Sequence, residues 1–272
     1  MNSVLGSAYK VRKVGESVQE LAFGISFEKY LLQNKNSKRI ARFNYLLKET
    51  QAAVGIADLV AIKVAKLNKS EFRFIEALER LPVLGSSFIL AELENHKRIS
   101  RKSILARSPF SKRFIQTVLL EMAKIGMIAE DKRGYIHLHD RFKLPLTEIT
   151  FFELKITDWR RAYFQAAQAQ SYADRTYCVF PVDKKRLLLK NKQEFLRAGI
   201  GVIVFDVGSS SAEEIVQAKV GSPKRLANKI YMIFQLSKFI SGRAGRRSKD
   251  QKKREKSLFS RLTSMLIRTI FR

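Results

Sequence analysis

Residues 149–181 read as strand, helix and strand in close succession, an order that leaves few architectures open. Residues 149–156 are rich in β-branched and aromatic side chains and short enough for a strand. Thr157 or Asp158 suits the N-cap of the next segment, whose Ala162, Ala166, Ala167 and Ala169 let a helix pack closely on a sheet. Residues 176–180 make a second apolar strand, closed by Pro181. Two strands joined in this way predict a parallel crossover and hence an α/β sheet.

Within the first strand stand Glu153 and Lys155. Side chains two apart on a strand share a face, so a carboxylate and an ammonium emerge together from an apolar element. The carboxylate can hold a hard divalent cation, and the lysine can orient water or stabilise charge developing on phosphorus. The plainer account is an ion pair on a half-exposed strand. Glu-x-Lys also recurs at Glu130-Asp131-Lys132, in a turn, so the motif alone decides nothing. A second apolar strand, residues 55–62, carries one charge, Asp58. A carboxylate there is costly unless it is paired, binds a metal or lies at the strand end.

The chain has 272 residues, 46% hydrophobic, enough for one large domain or two modest ones. Its 52 Lys and Arg against 25 Asp and Glu give a net charge of +27, which favours a polyanionic partner: nucleic acid first, an anionic membrane surface well behind. No apolar run approaches the roughly 20 residues of a bilayer span, and residues 1–13 lack the apolar core of a signal peptide. The single cysteine, Cys178, falls in a buried strand, as expected of a packed thiol in a reducing, cytoplasmic setting.

Elsewhere, residues 1–14 are short and basic, and residues 16–33 have helical spacing with an interruption expected near Gly24. Residues 39–49 alternate as a half-buried strand, and residues 67–81 form an amphipathic helix ended by Pro82. Three further helices are expected: from Ser86 or Ser87 to Glu94, over 100–106, and from an N-cap at Ser111 to Gly126. A β-hairpin over 127–138 follows, with a basic tip. The glycines of the apolar strand 199–208 lack the following helix of a dinucleotide fingerprint, and Asp206 at its end is explained by turn chemistry. His137 and His139 are too few for a zinc site. Residues 224–240 read as helix, 241–256 as a basic linker and 257–272 as a cationic amphipathic helix.

Three helices and a hairpin in this order resemble a winged helix-turn-helix domain. That resemblance implies DNA contacts from Ser111, Lys112, Arg113 and Gln116 on the third helix and from Lys132 and Arg133 on the wing. Winged helices also serve as protein-binding modules, so a homodimer or protein partner through this unit or the C-terminal helix is a further expectation.

The remainder, about residues 16–66 and 149–208, resembles the PD-(D/E)xK nuclease superfamily, whose fold is restriction-endonuclease-like. The residues carrying the likeness are Asp58, the run Ile149-Thr-Phe-Phe-Glu153-Leu-Lys155, and Gln165 on the following helix. The resemblance implies a mixed sheet flanked by helices and a Mg²⁺ or Mn²⁺ ion held by Asp58 and Glu153. It further implies that Lys155 positions or activates water, that Gln165 supports the site, and that Glu28, with Glu20 as fallback, is the first-helix acid. Two departures stand out: Ala57 replaces the proline before the aspartate, and the long separation of Asp58 from Glu153 makes the winged helix an insertion. The implied organisation is a nuclease-like domain in two parts, 14–66 and 146–240, an inserted domain, 67–145, and a basic tail, 241–272. The expected function is metal-dependent DNA cleavage, with a non-catalytic DNA-binding regulator or assembly factor as the alternative.

Overall fold

The structure, a computed structural model, describes residues 18–35 and 40–242. The readings of residues 1–14 and of 243–272, most of the basic tail, lie outside the described residues. The chain divides into two compact units, one containing the stretches up to Ala65 and Leu146–Lys229, the other Lys66–Pro145 and the chain from Ile230.

The first unit is α/β, a mixed six-stranded sheet flanked by helices. Its elements in chain order are α1 (Val18–Gln33), β1 (Tyr45–Gln51), β2 (Ile56–Val64), β6 (Thr147–Leu154), α6 (Trp159–Ala169), β7 (Arg175–Pro181), α7 (Lys185–Lys190), α8 (Lys192–Ala198), β8 (Gly201–Asp206) and β9 (Ser211–Val216). The strand order is β1-β2-β6-β7-β8-β9. The pairs β1/β2, β2/β6 and β8/β9 are antiparallel; β6/β7 and β7/β8 are parallel.

Strand alternation builds both layers. On one face Phe152 and Leu154 of β6, with Tyr177 and Phe205, pack beneath Phe23, Phe27 and Leu31 of α1. Phe151, one residue out of phase, meets Tyr172 edge-to-face just past α6, with ring centroids 6.1 Å apart. Ala162, Ala166 and Ala169 are buried, the small side chains that bring α6 close to the strands. Asp158 caps α6 through Arg161 N–H at 3.0 Å. α1 runs unbroken through Gly24, contrary to the expected interruption, because Phe23, Phe27 and Leu31 anchor the turns on either side. β1 starts at Tyr45 rather than near residue 39, and the strand β9 was not anticipated at all.

The second unit contains α2 (Lys69–Leu78), α3 (Val83–His96), β3 (Arg98–Ser100), α4 (Arg101–Arg107), α5 (Lys112–Lys124), β4 (Ile128–Glu130) and β5 (Tyr135–Leu138), and residues 226–242 are helical across the division. Asn68 and Glu71 close a capping box at the start of α2. Three strands in the order β3-β5-β4 form an antiparallel sheet. α3 begins at Val83, before the serines expected to start it; Ser86 and Ser87 are buried within the helix. At the tip of the β4–β5 hairpin, Asp131 Oδ1 accepts hydrogen bonds from the N–H groups of Tyr135 and Arg133. The first of these, with the second and nearby Arg98, holds the Asp131 carboxyl below its ordinary range.

Candidate active site

The β2/β6 ladder ends at the pair Leu59↔Phe152. One step further along the same register lie Asp58 and Glu153. Here the side chain of Asp58 replaces the backbone as acceptor: Leu154 N–H donates to Asp58 Oδ2 at 3.0 Å. The carboxylate is thereby fixed to the residue between Glu153 and Lys155. The β1 side opens at the same level. β1/β2 pairing passes from Lys48↔Leu59 to Thr50↔Ala57, skipping Glu49, which sits in the left-handed region at φ 43°. A non-glycine residue there costs about 1–2 kcal/mol, a strain with no local sign among the neighbouring residues.

Glu153 is fully buried, and Lys155 lies just beyond the last residue of β6, its backbone N–H donating to Val179 O at 3.1 Å. The Lys155 ammonium is 3.6 Å from Glu153 Oε1 and donates to Glu20 Oε1 at 2.9 Å. Burial pulls the pKa of this lysine down, but the Glu20 hydrogen bond and the charges of Glu153, Asp58 and Glu20 outweigh it and leave it above the ordinary value. Lys155 is therefore a cation at neutral pH. The same carboxylates act on their neighbours: burial first, then the charge of Glu153, pushes the Cys178 thiol well up.

The structure thus gathers Asp58, Glu153 and Lys155 and adds Glu20 as the first-helix acid beside the lysine. Glu28, favoured from sequence, lies two turns further along α1 and pairs with Lys48 at 3.3 Å. Glu20, Gly24, Glu28, Lys48, Glu49 and Asp58 line one cleft. Gln165 is half-buried on α6, and its Oε1 is buried without a hydrogen-bond partner among the described residues. In the second unit, Ser111 caps α5 through Phe114 N–H, and Lys112, Arg113, Gln116, Lys132 and Arg133 are all exposed.

Two carboxylates at adjoining register positions form a hard oxygen donor set, and Mg²⁺ is commonly bound by one or two carboxylates with water and phosphate oxygens completing its shell. Asp58 and Glu153 fit that requirement. Among the described residues no group of three or more His, Cys, Asp or Glu is assembled to hold a metal. Among them, too, no helix is long and apolar enough to cross a membrane. No protein-family model, curated protein or solved structure matches the chain.

Proposed function

We propose that the chain is a Mg²⁺-dependent deoxyribonuclease, with Mn²⁺ able to substitute, of the PD-(D/E)xK superfamily and restriction-endonuclease-like fold, carrying an inserted winged helix that helps to position DNA. The observation that carries this reading is the hydrogen bond from Leu154 N–H to Asp58 Oδ2, which draws the lone strand aspartate alongside Glu153 and Lys155. The order α1, β1, β2, β6, α6, β7, with β6 antiparallel to β2 and parallel to β7, supports it. So does the net charge of +27.

In this mechanism Asp58 and Glu153 hold the cation, which when bound supplies Lewis-acid stabilisation of the charge on the pentavalent phosphate and a more acidic water. Lys155 works as an ammonium: it orients the attacking water and faces the negative charge growing on the phosphoryl oxygens. Glu20 fixes the ammonium, and Gln165 Oε1 is an acceptor left over to support the site. Lys112, Arg113, Lys132 and Arg133 bind the DNA backbone, while Ser111 and Gln116 stand at the start of α5, where base edges are read.

The test is cleavage of supercoiled, linear and branched DNA with Mg²⁺ or Mn²⁺, with Glu153→Ala and Lys155→Ala beside the unaltered chain. Metal-dependent cutting lost in both variants is the expected result. A second reading, a non-catalytic DNA-binding regulator or assembly factor, is favoured by one feature: Lys155 is already held by Glu20 and Glu153, as in a structural ion-pair network. Tight DNA binding with no cutting of any substrate would select it.

A further inference from the structure

A second concavity of the α/β unit lies where the parallel strands β7 and β8 begin, and it shares no lining residue with the Asp58 cleft. Arg175, Thr176, Gly199, Lys219 and Lys224 line it, with Asp174. Its walls are built. Gly221 N–H donates to Asp174 O at 3.0 Å, Lys224 N–H to Gln170 O at 3.1 Å and Arg225 N–H to Ser171 O at 3.1 Å, pinning the segment after β9 to the turn before β7. Lys219 N–H donates to Gly199 O at 3.0 Å. Gly199 has φ 70°, and a Cβ there would come within 3.1 Å of Lys219 Cβ, so glycine is what lets Lys219 sit this close.

The charge inside is unbalanced. Asp174 is satisfied by Lys229 Nζ at 2.9 and 3.0 Å and by Ile149 N–H at 2.7 Å. Arg175 meets Glu148 at 3.3 Å, yet its Nε is buried without a hydrogen-bond partner among the described residues. Lys219 and Lys224 are exposed and have no ion pair among the described residues. Thr176, only 2% exposed, likewise leaves its Oγ1 buried without a partner. A buried hydroxyl left unsatisfied is costly, and two lysines at the rim of the same cavity set the sign of what would satisfy it.

We propose that this cavity binds a phosphate group, supplied either by a nucleic-acid backbone or by a small phosphorylated ligand. The site stands apart from the cleavage chemistry and does not depend on it. The test is ³¹P NMR titration of inorganic phosphate into the full chain and three variants. Lys219→Gln/Lys224→Gln is expected to weaken binding about tenfold or more, since a charge-assisted hydrogen bond contributes that much. Thr176→Val, nearly the same shape without the hydroxyl, is expected to weaken it severalfold while leaving the circular dichroism spectrum unchanged. Arg186→Gln/Lys190→Gln, which removes two exposed charges from α7, should leave it unchanged. No phosphate binding by the unaltered chain, or equal binding in all three variants, or an equal loss in the α7 control, would overturn the proposal. DNA binding by the Lys219/Lys224 variant identifies the source: a salt slope lowered by about 2 means backbone phosphate, and an unchanged slope means a small ligand. Loss of DNA cutting in the Glu153 and Lys155 variants reads out the other site and leaves this one untouched.

Discussion

Glu20 and Glu28 share one face of α1, but only Glu20 reaches the end of β6, where Lys155 emerges. Glu20→Gln removes the anion of a charge-assisted hydrogen bond, so a fall in cleavage rate of about tenfold or more is expected. Glu28→Gln, which loosens only a half-exposed pair with Lys48, should stay within about twofold. Rates measured side by side decide the matter, and the reverse ranking would return Glu28 to the site. Alkaline unfolding is expected to track two buried tyrosines. Burial first, then the charges of Glu153 and Asp58, raises the Tyr172 pKa; burial, then the hydrogen bond to Glu214, raises that of Tyr177. The unfolded chain loses these protons from the ordinary value of 10.0 upward, whereas the folded chain keeps them. The unfolded state then binds fewer protons, so stability is fully present below pH 10 and falls above it. Tyr177→Phe should cost about 1–2 kcal/mol near neutrality through the lost Glu214 bond, and its urea midpoint should fall less steeply above pH 10.

At the level of elements, β7 and β8 meet without room to spare. A Cβ on Gly201 would clash with the Tyr177 ring and lie 2.9 Å from Ala218 N. Gly201→Ala should therefore destabilise by about 1–3 kcal/mol or more, read as a lower thermal midpoint, because backbone on one side cannot give way. The same elements show where the sequence was informative. The Asp158 cap, the alanine spacing of α6 and the β-branched runs of β6 and β7 are local signals: both strands appear within two residues of their expected ends, and α6 starts at one of its two expected caps. Ser111 caps α5 for the same reason. By contrast β9, Ser-Ala-Glu-Glu-Ile-Val, is an edge strand with a solvated side and needs no apolar run. β3 is three residues long and exists only through pairing with β5. In the site, strand periodicity aligned Glu153 with Lys155, but helical periodicity could not say which turn of α1 meets them. The left-handed Glu49 left no local trace: nothing in the residues around it marks the one position the β1/β2 pairing skips.

For the whole molecule, the net charge of +27 makes salt dependence the natural probe of the proposed DNA binding. Lys112→Ala/Arg113→Ala and Lys132→Ala/Arg133→Ala should each lower the slope of log affinity against log salt by about 2, with weaker binding on every sequence. Slopes that do not change would remove α5 and the hairpin tip from the interface. The sheet itself carries a kinetic consequence. β2 and β6 are neighbours, and Ala65 N–H donates to Leu146 O at 3.3 Å, yet the whole stretch Lys66–Pro145 intervenes. Closing a slack loop of roughly 80 residues costs about 2–3 kcal/mol more than closing a short turn. An intervening segment that folds first, with its ends together, removes most of that cost, so β2 and β6 find each other as fast as the segment between them can organise.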